Sequence, residues 1–131
     1  MKPSSRRKRS YRFCYLSAPP SYDTSYIRSF LKDKEIEVLT LENYVGTSTS
    51  VINLLTQCIS DSDLIILVAK LGLYPMSLFE IGYALGQGKR TIVLAPSGYI
   101  EANKDLPCIW IDIDKPDAVL FVLQQVLASP K

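Results

Sequence analysis

The stretch DLIILVAK (63–70), followed a short loop later by SLFEIGYALGQGKR (77–90), decides how this chain reads. Residues 64–69 carry no polar side chain, so they read as a strand buried on both faces of a parallel sheet. Residues 78–87 read as a helix, with Gly86 or Gly88 near its end. Glu80 falls in the first turn of that helix. A helix start just past the carboxyl end of a parallel strand is where α/β folds assemble ligand sites. The chain has no histidine, so this carboxylate is the leading candidate for chemistry. Ser77-x-x-Glu80 also has the spacing of a capping box, in which the serine caps the helix and the glutamate reaches back to the serine amide. That alternative accounts for both residues without chemistry.

On either side, strand and helix patterns alternate. RFCYLSA (12–18) is a first strand, ended by Pro19-Pro20. Asp23 or Thr24 can cap a helix with Tyr26, Ile27, Phe30 and Leu31 as its apolar stripe. EIEVLTL (35–41) alternates and reads as an edge strand. Thr47 to Thr49 offer caps for a helix that places Val51, Ile52, Leu55, Cys58 and Ile59 on one face. RTIVLAP (90–96) and CIWIDI (108–113) are strands four and five, and 116–128 is a last helix. Five β-units joined by helical crossovers predict an α/β three-layer sandwich with a parallel, flavodoxin-like sheet of order 2-1-3-4-5. Its switch point lies between strands one and three. The loops Ser17 to Tyr22 and Lys70 to Ser77 are then the two walls of one crevice, facing Glu80.

Tyr22, Tyr44, Tyr74 and Tyr99 fall after strands one to four, on the carboxyl-end edge. A tyrosine there can stack on a nucleobase and hydrogen-bond through its hydroxyl. Equally, a loop tyrosine can simply cover the end of a core. On the 78–87 helix, Leu78, Ile81 and Leu85 can face the sheet. Phe79, Tyr83 and Gly86 then form an outward stripe suited to a second subunit, so a homodimer or larger oligomer is expected.

Composition narrows the classes. At 131 residues the chain is long enough for one domain with a real core. No apolar run approaches the ~20 residues that span a bilayer, and no apolar segment follows the basic start as a secretory leader requires. A soluble, cytoplasmic protein is expected. Cys14, Cys58 and Cys108 are odd in number and sit in apolar stretches, which reads as buried free thiols in a reducing compartment. Five of the fifteen basic residues lie in residues 1–10; without them ten basic residues face thirteen acidic ones, a net of −3. Residues 1–10 are expected to be a disordered basic tail on a domain spanning 11–131, and no basic nucleic-acid face is expected on that body. The lack of histidine excludes Ser-His-Asp and Cys-His machinery and histidine metal sites. No P-loop motif occurs, and the first βα turn, SAPPSYD, lacks the glycines of a dinucleotide fingerprint. Gly82, Gly86 and Gly88 lie within and after a helix, where close packing and helix termination explain them. No cofactor is called for.

EIGYALGQGK followed by RTIVLAP resembles the nucleoside 2-deoxyribosyltransferase family, in which an E-[LI]-G-[YR]-A segment follows strand three and leads through a Gly-Lys turn into strand four. Tyr15-Leu16-Ser17-Ala18-Pro19 is similar to the family's first-strand ending, and the order of elements agrees over most of residues 12–128. Toll/interleukin-receptor-like domains share the sheet order and a glutamate at a similar place.

The family resemblance implies that Glu80 attacks the anomeric carbon of a nucleoside or nucleotide and that Tyr15 orients it. It places Ser17 and Ala18 along the sugar and Ser77 three residues before the nucleophile. From their place in the crevice loops and on the carboxyl-end edge, rather than from the family, Pro19, Gly72 and the tyrosines Tyr22, Tyr44, Tyr74 and Tyr99 are expected around the ligand. Family members often complete their sites from a neighbour, for which Asn103 is the possible donor. Two departures stand out. The aspartate often found six residues before the nucleophile is Tyr74 here, and the acid that assists the leaving base has no equivalent in the second helix. Asp61 and Asp63 lie on the opposite edge. For a phosphate, Lys70 and Lys104 are the available cations. The classes that follow are an N-glycosidase or deoxyribosyltransferase, a non-catalytic nucleotide-binding module with the same crevice, and a Toll-like domain acting on NAD.

Overall fold

A computed structural model describes residues 11–44, 50–70 and 75–129. The proposed basic tail, the caps offered at Thr47 to Thr49, Gly72 and Tyr74 lie outside these. The strands are β1 (Phe13–Ser17), β2 (Glu37–Leu39), β3 (Leu64–Val68), β4 (Arg90–Ala95) and β5 (Ile109–Asp112). The helices are α1 (Ser25–Asp33), α2 (Val51–Ser60), α3 (Pro75–Gly86), α4 (Ser97–Asn103) and α5 (Pro116–Ala128), with a short 3-10 turn at Leu41–Tyr44. All strand pairs are parallel and the order is 2-1-3-4-5, as expected. Every residue of β3 is buried, which is why that strand is an unbroken apolar run.

Alternation along the strands divides the interior into two cores. Cys14, Leu16, Leu64, Ile66 and Ile92 pack under α1 and α5, with Ile27, Leu31, Val119 and Leu123. Tyr15, Ile65, Leu67 and Val93 pack under α2 and α3, with Leu55, Ile59, Ile81 and Ala84. The three cysteines are free, Cys14 and Cys58 buried and Cys108 half-buried. Burial pushes the Cys58 and Cys108 thiols up to about 11, which makes them poor nucleophiles.

Local chemistry sets several boundaries differently from the sequence pattern. The second strand is only Glu37–Leu39: Glu35 adopts a left-handed φ of 61° that no strand continues through, and a 3-10 turn begins at Leu41. Ser50 caps α2, its side chain accepting from the Asn53 amide at 3.1 Å. Residues 97–103 form a helix where a loop was expected. α3 begins at Pro75, a proline in the first turn where its missing N–H costs nothing. It ends with Gly88 at φ 73°, where the Lys89 amide donates to the Ala84 carbonyl and the Gly88 amide to the Leu85 carbonyl, a glycine-dependent stop. Close packing does not explain Gly82 or Gly86, since a Cβ at either would meet nothing within 4 Å.

The inward face of α3 also differs from expectation. Ile81, Ala84 and Glu80 are buried, whereas Leu78 is 46% exposed. The Phe79 and Tyr83 rings stack at 6.0 Å, and Tyr83 pairs with the Ser60 hydroxyl on α2 at 3.2 Å. That stripe is therefore turned largely toward its own neighbour helix.

Candidate active site

Strand alternation does the first half of the assembly. Tyr15 and Ser17 lie two residues apart on β1 and share the face covered by α2 and α3. Pairing of Tyr15 with Ile65 and of Ser17 with Leu67 fixes their height in the sheet. α3 supplies the second half. Ile81 and Ala84 anchor it on the sheet, and Glu80, beside Ile81, is carried down with them to 4% exposure.

The two halves meet at one hydrogen bond: the Tyr15 hydroxyl donates to Glu80 Oε2 at 2.6 Å. Tyr15 itself is 1% exposed. Burial raises the Glu80 carboxyl above its ordinary value, while hydrogen bonds with the Tyr15 and Ser17 hydroxyls pull it back down. Burial also raises the Tyr15 phenol, and the Glu80 charge raises it further, so Tyr15 stays a protonated donor at neutral pH. The capping box is not formed as expected: Ser77 is already inside the helix, and Glu80 turns to Tyr15 across the interior instead.

Above the pair opens a cavity of about 300 Å³. Ser17, Ala18 and Pro19 form one wall, and Lys70, Met76 and Ser77 the other. Leu41, Val51, Leu55 and Val68 give it an apolar lining, which the sequence signalled only as core positions. A second hollow of about 320 Å³ shares Tyr15, Ser17, Ala18, Pro19 and Leu41 with the first and extends to Tyr22, Arg28 and Glu42. A larger hollow, about 590 Å³, lies on the opposite edge among Asp63, Lys89 and Arg90, away from the carboxyl ends where parallel sheets present ligands.

The other expected site residues are dispersed. Tyr22 lines the second hollow, and its hydroxyl lies 2.6 Å from that of Tyr26. Tyr44 donates to Asp61 Oδ2 at 2.6 Å, which draws it toward the end of α2 at the amino edge of the sheet. Tyr99 is on the exposed side of α4, and Asn103 Nδ2 donates to the Tyr99 carbonyl at 2.8 Å. None of Tyr44, Tyr99 and Asn103 lines either hollow over β1. Asp63 is structural, accepting the Arg12 and Phe13 amides.

A five-stranded parallel sheet with a buried glutamate–tyrosine pair at its switch point defines the architecture. No family model matches the chain, and no curated protein matches it in sequence. Among solved structures, that of the CMP N-glycosidase BcmB from Clostridium botulinum superposes with a TM-score of 0.61 at 23% sequence identity, covering 88% of this chain and 100% of that one. The two share a fold. Among the described residues, no helix is long and apolar enough to cross a membrane.

Proposed function

We propose that this protein breaks the N-glycosidic bond of a nucleoside or nucleotide, with Glu80 as the nucleophile. The observation that carries this reading is the buried Glu80 carboxylate, held at 2.6 Å by Tyr15 at the floor of a cavity sized for a nucleoside. The Glu80 oxygen attacks the anomeric carbon, and the bond to the base nitrogen breaks with its electron pair leaving on the base. Water protonates the departing base. A second water then hydrolyses the sugar–Glu80 ester, or another base takes its place. Tyr15 fixes the orientation of the carboxylate and stabilises its charge. The apolar lining keeps water sparse, so the anion acts strongly on the positive charge that develops at the sugar. The fold shared with a CMP N-glycosidase supports the same chemistry.

A second reading, a nucleotide-binding module without turnover, draws on one observation: among the described residues Glu80 is the sole carboxylate lining this cavity. The deciding experiment incubates the protein with nucleosides, nucleoside 5′-monophosphates and NAD, and looks for free base or nicotinamide by chromatography. Release of free base that disappears in Glu80→Gln supports the enzyme. Binding without release supports the module.

A further inference from the structure

Glu80 and Tyr15 account for the sugar end of the cavity and leave one charged group unused. Lys70 follows β3 by two residues, is exposed, and lines the same cavity. Its ammonium donates to the Ser21 carbonyl at 3.3 Å. It therefore reaches from the end of β3 across the crevice to the loop after β1.

No other described cation lines this cavity. Lys104 pairs with Glu101 at 2.8 Å and lines neither hollow over β1. Lys89 and Arg90 face the opposite edge of the sheet. Arg28 lines the adjoining hollow, but its Nε donates to Thr24 Oγ1 at 3.1 Å and its charge acts on Glu42, whose carboxyl it helps hold low. Among the described residues Lys70 is thus the only cation on the Glu80 cavity. An ammonium offers three donors, and the Ser21 carbonyl takes one through a long bond. A phosphate oxygen, doubly charge-assisted, competes well for it.

We infer that Lys70 reads a phosphate group, so that this site prefers a nucleoside 5′-monophosphate to the parent nucleoside. The assignment rests on the N-glycosidase reading for the pose of the sugar, and it is tested separately from it. In the apo protein the Lys70–Ser21 contact draws the two walls together; with a monophosphate bound the ammonium turns to the phosphate.

The experiment measures dissociation constants of AMP, CMP, adenosine and cytidine by calorimetry on the full chain, on Lys70→Met and on Lys70→Arg, at low and high salt. Free base is scored in parallel. The monophosphates should bind about tenfold or more tightly than the nucleosides in the intact protein. That ratio should collapse in Lys70→Met, survive largely in Lys70→Arg, and shrink as salt rises. A purely structural latch would weaken both ligand types together and leave the ratio unchanged, which overturns the assignment. Absence of any monophosphate binding overturns it too. Lys70-dependent monophosphate binding without base release would sink the N-glycosidase reading and leave this one standing; base release without a Lys70-dependent preference would do the reverse.

Discussion

Tyr15 and Glu80 are 65 residues apart in sequence, yet the tyrosine hydroxyl lies 2.6 Å from the glutamate oxygen and both residues are almost entirely buried. The pair joins an interior strand of the sheet to a helix that covers it. Its partners differ in what they contribute, and substitution should separate them.

Glu80→Gln should abolish base release while stabilising the fold at neutral pH. The carboxyl is raised in the folded state above its ordinary 4.5. Below that value both states are protonated and nothing is lost. As pH rises through it, the unfolded chain ionises first and the folded state loses stability until the folded carboxyl ionises too. Glutamine removes that loss. Denaturant midpoints should place the variant above the parent at pH 7 and level with it near pH 4 (about the unfolded carboxyl value). Equal midpoints at both pH values would contradict the burial argument.

Tyr15→Phe should lower kcat with little change in KM. It removes a hydrogen bond to a charged group, worth about 1.5–3 kcal/mol, or roughly ten- to a hundredfold in rate. The Glu80 carboxyl should then rise further, moving the acid limb of the pH–rate profile to higher pH. An unmoved acid limb would mean that Tyr15 does not tune the carboxylate.

Tyr44→Phe should act on stability alone. Its hydroxyl ties the turn at Leu41–Tyr44 to Asp61 at the end of α2, a partly exposed bond worth about 0.5–1.5 kcal/mol. The free energy of unfolding should fall by that amount with nucleotide affinity unchanged. A selective loss of affinity would put Tyr44 at the ligand after all.

Self-association should involve the mouth of the cavity. Val51, Ile52, Met76 and Leu78 are 53, 44, 43 and 46% exposed at the starts of two contacting helices, an apolar rim that a second copy of this chain can cover. Light scattering should give a dimer or larger species, and Ile52→Glu with Leu78→Glu should dissociate it. A monomer at micromolar concentration in the unaltered protein refutes this.

The sheet was legible because its signal is redundant: five apolar runs, each with helical periodicity between them, leave few topologies. Glu80 was legible from its address after β3, and Tyr15 through the resemblance of the Tyr15–Pro19 segment. Side-chain direction was less so. Leu78 lies three residues from Ile81 and seven from Leu85, which fits a buried stripe. The helix instead turns Ala84 and Glu80 inward, and Tyr15 supplies a partner for the buried carboxyl. Nor does periodicity say that the Tyr44 hydroxyl finds Asp61, since that contact depends on a three-residue strand placing the turn against α2. The caps offered for α2, Thr47 to Thr49, lie outside the described residues, and the side chain that caps the helix is that of Ser50, one residue further on.

β1 lies inside the sheet, paired with β2 on one side and with β3 on the other. The backbone that carries Tyr15 therefore has no edge from which to fray. Its amides should exchange with solvent deuterium only through openings close in free energy to complete unfolding. On heating, the Tyr15 contact should persist until the whole domain cooperatively melts, so inactivation and unfolding should follow a single curve.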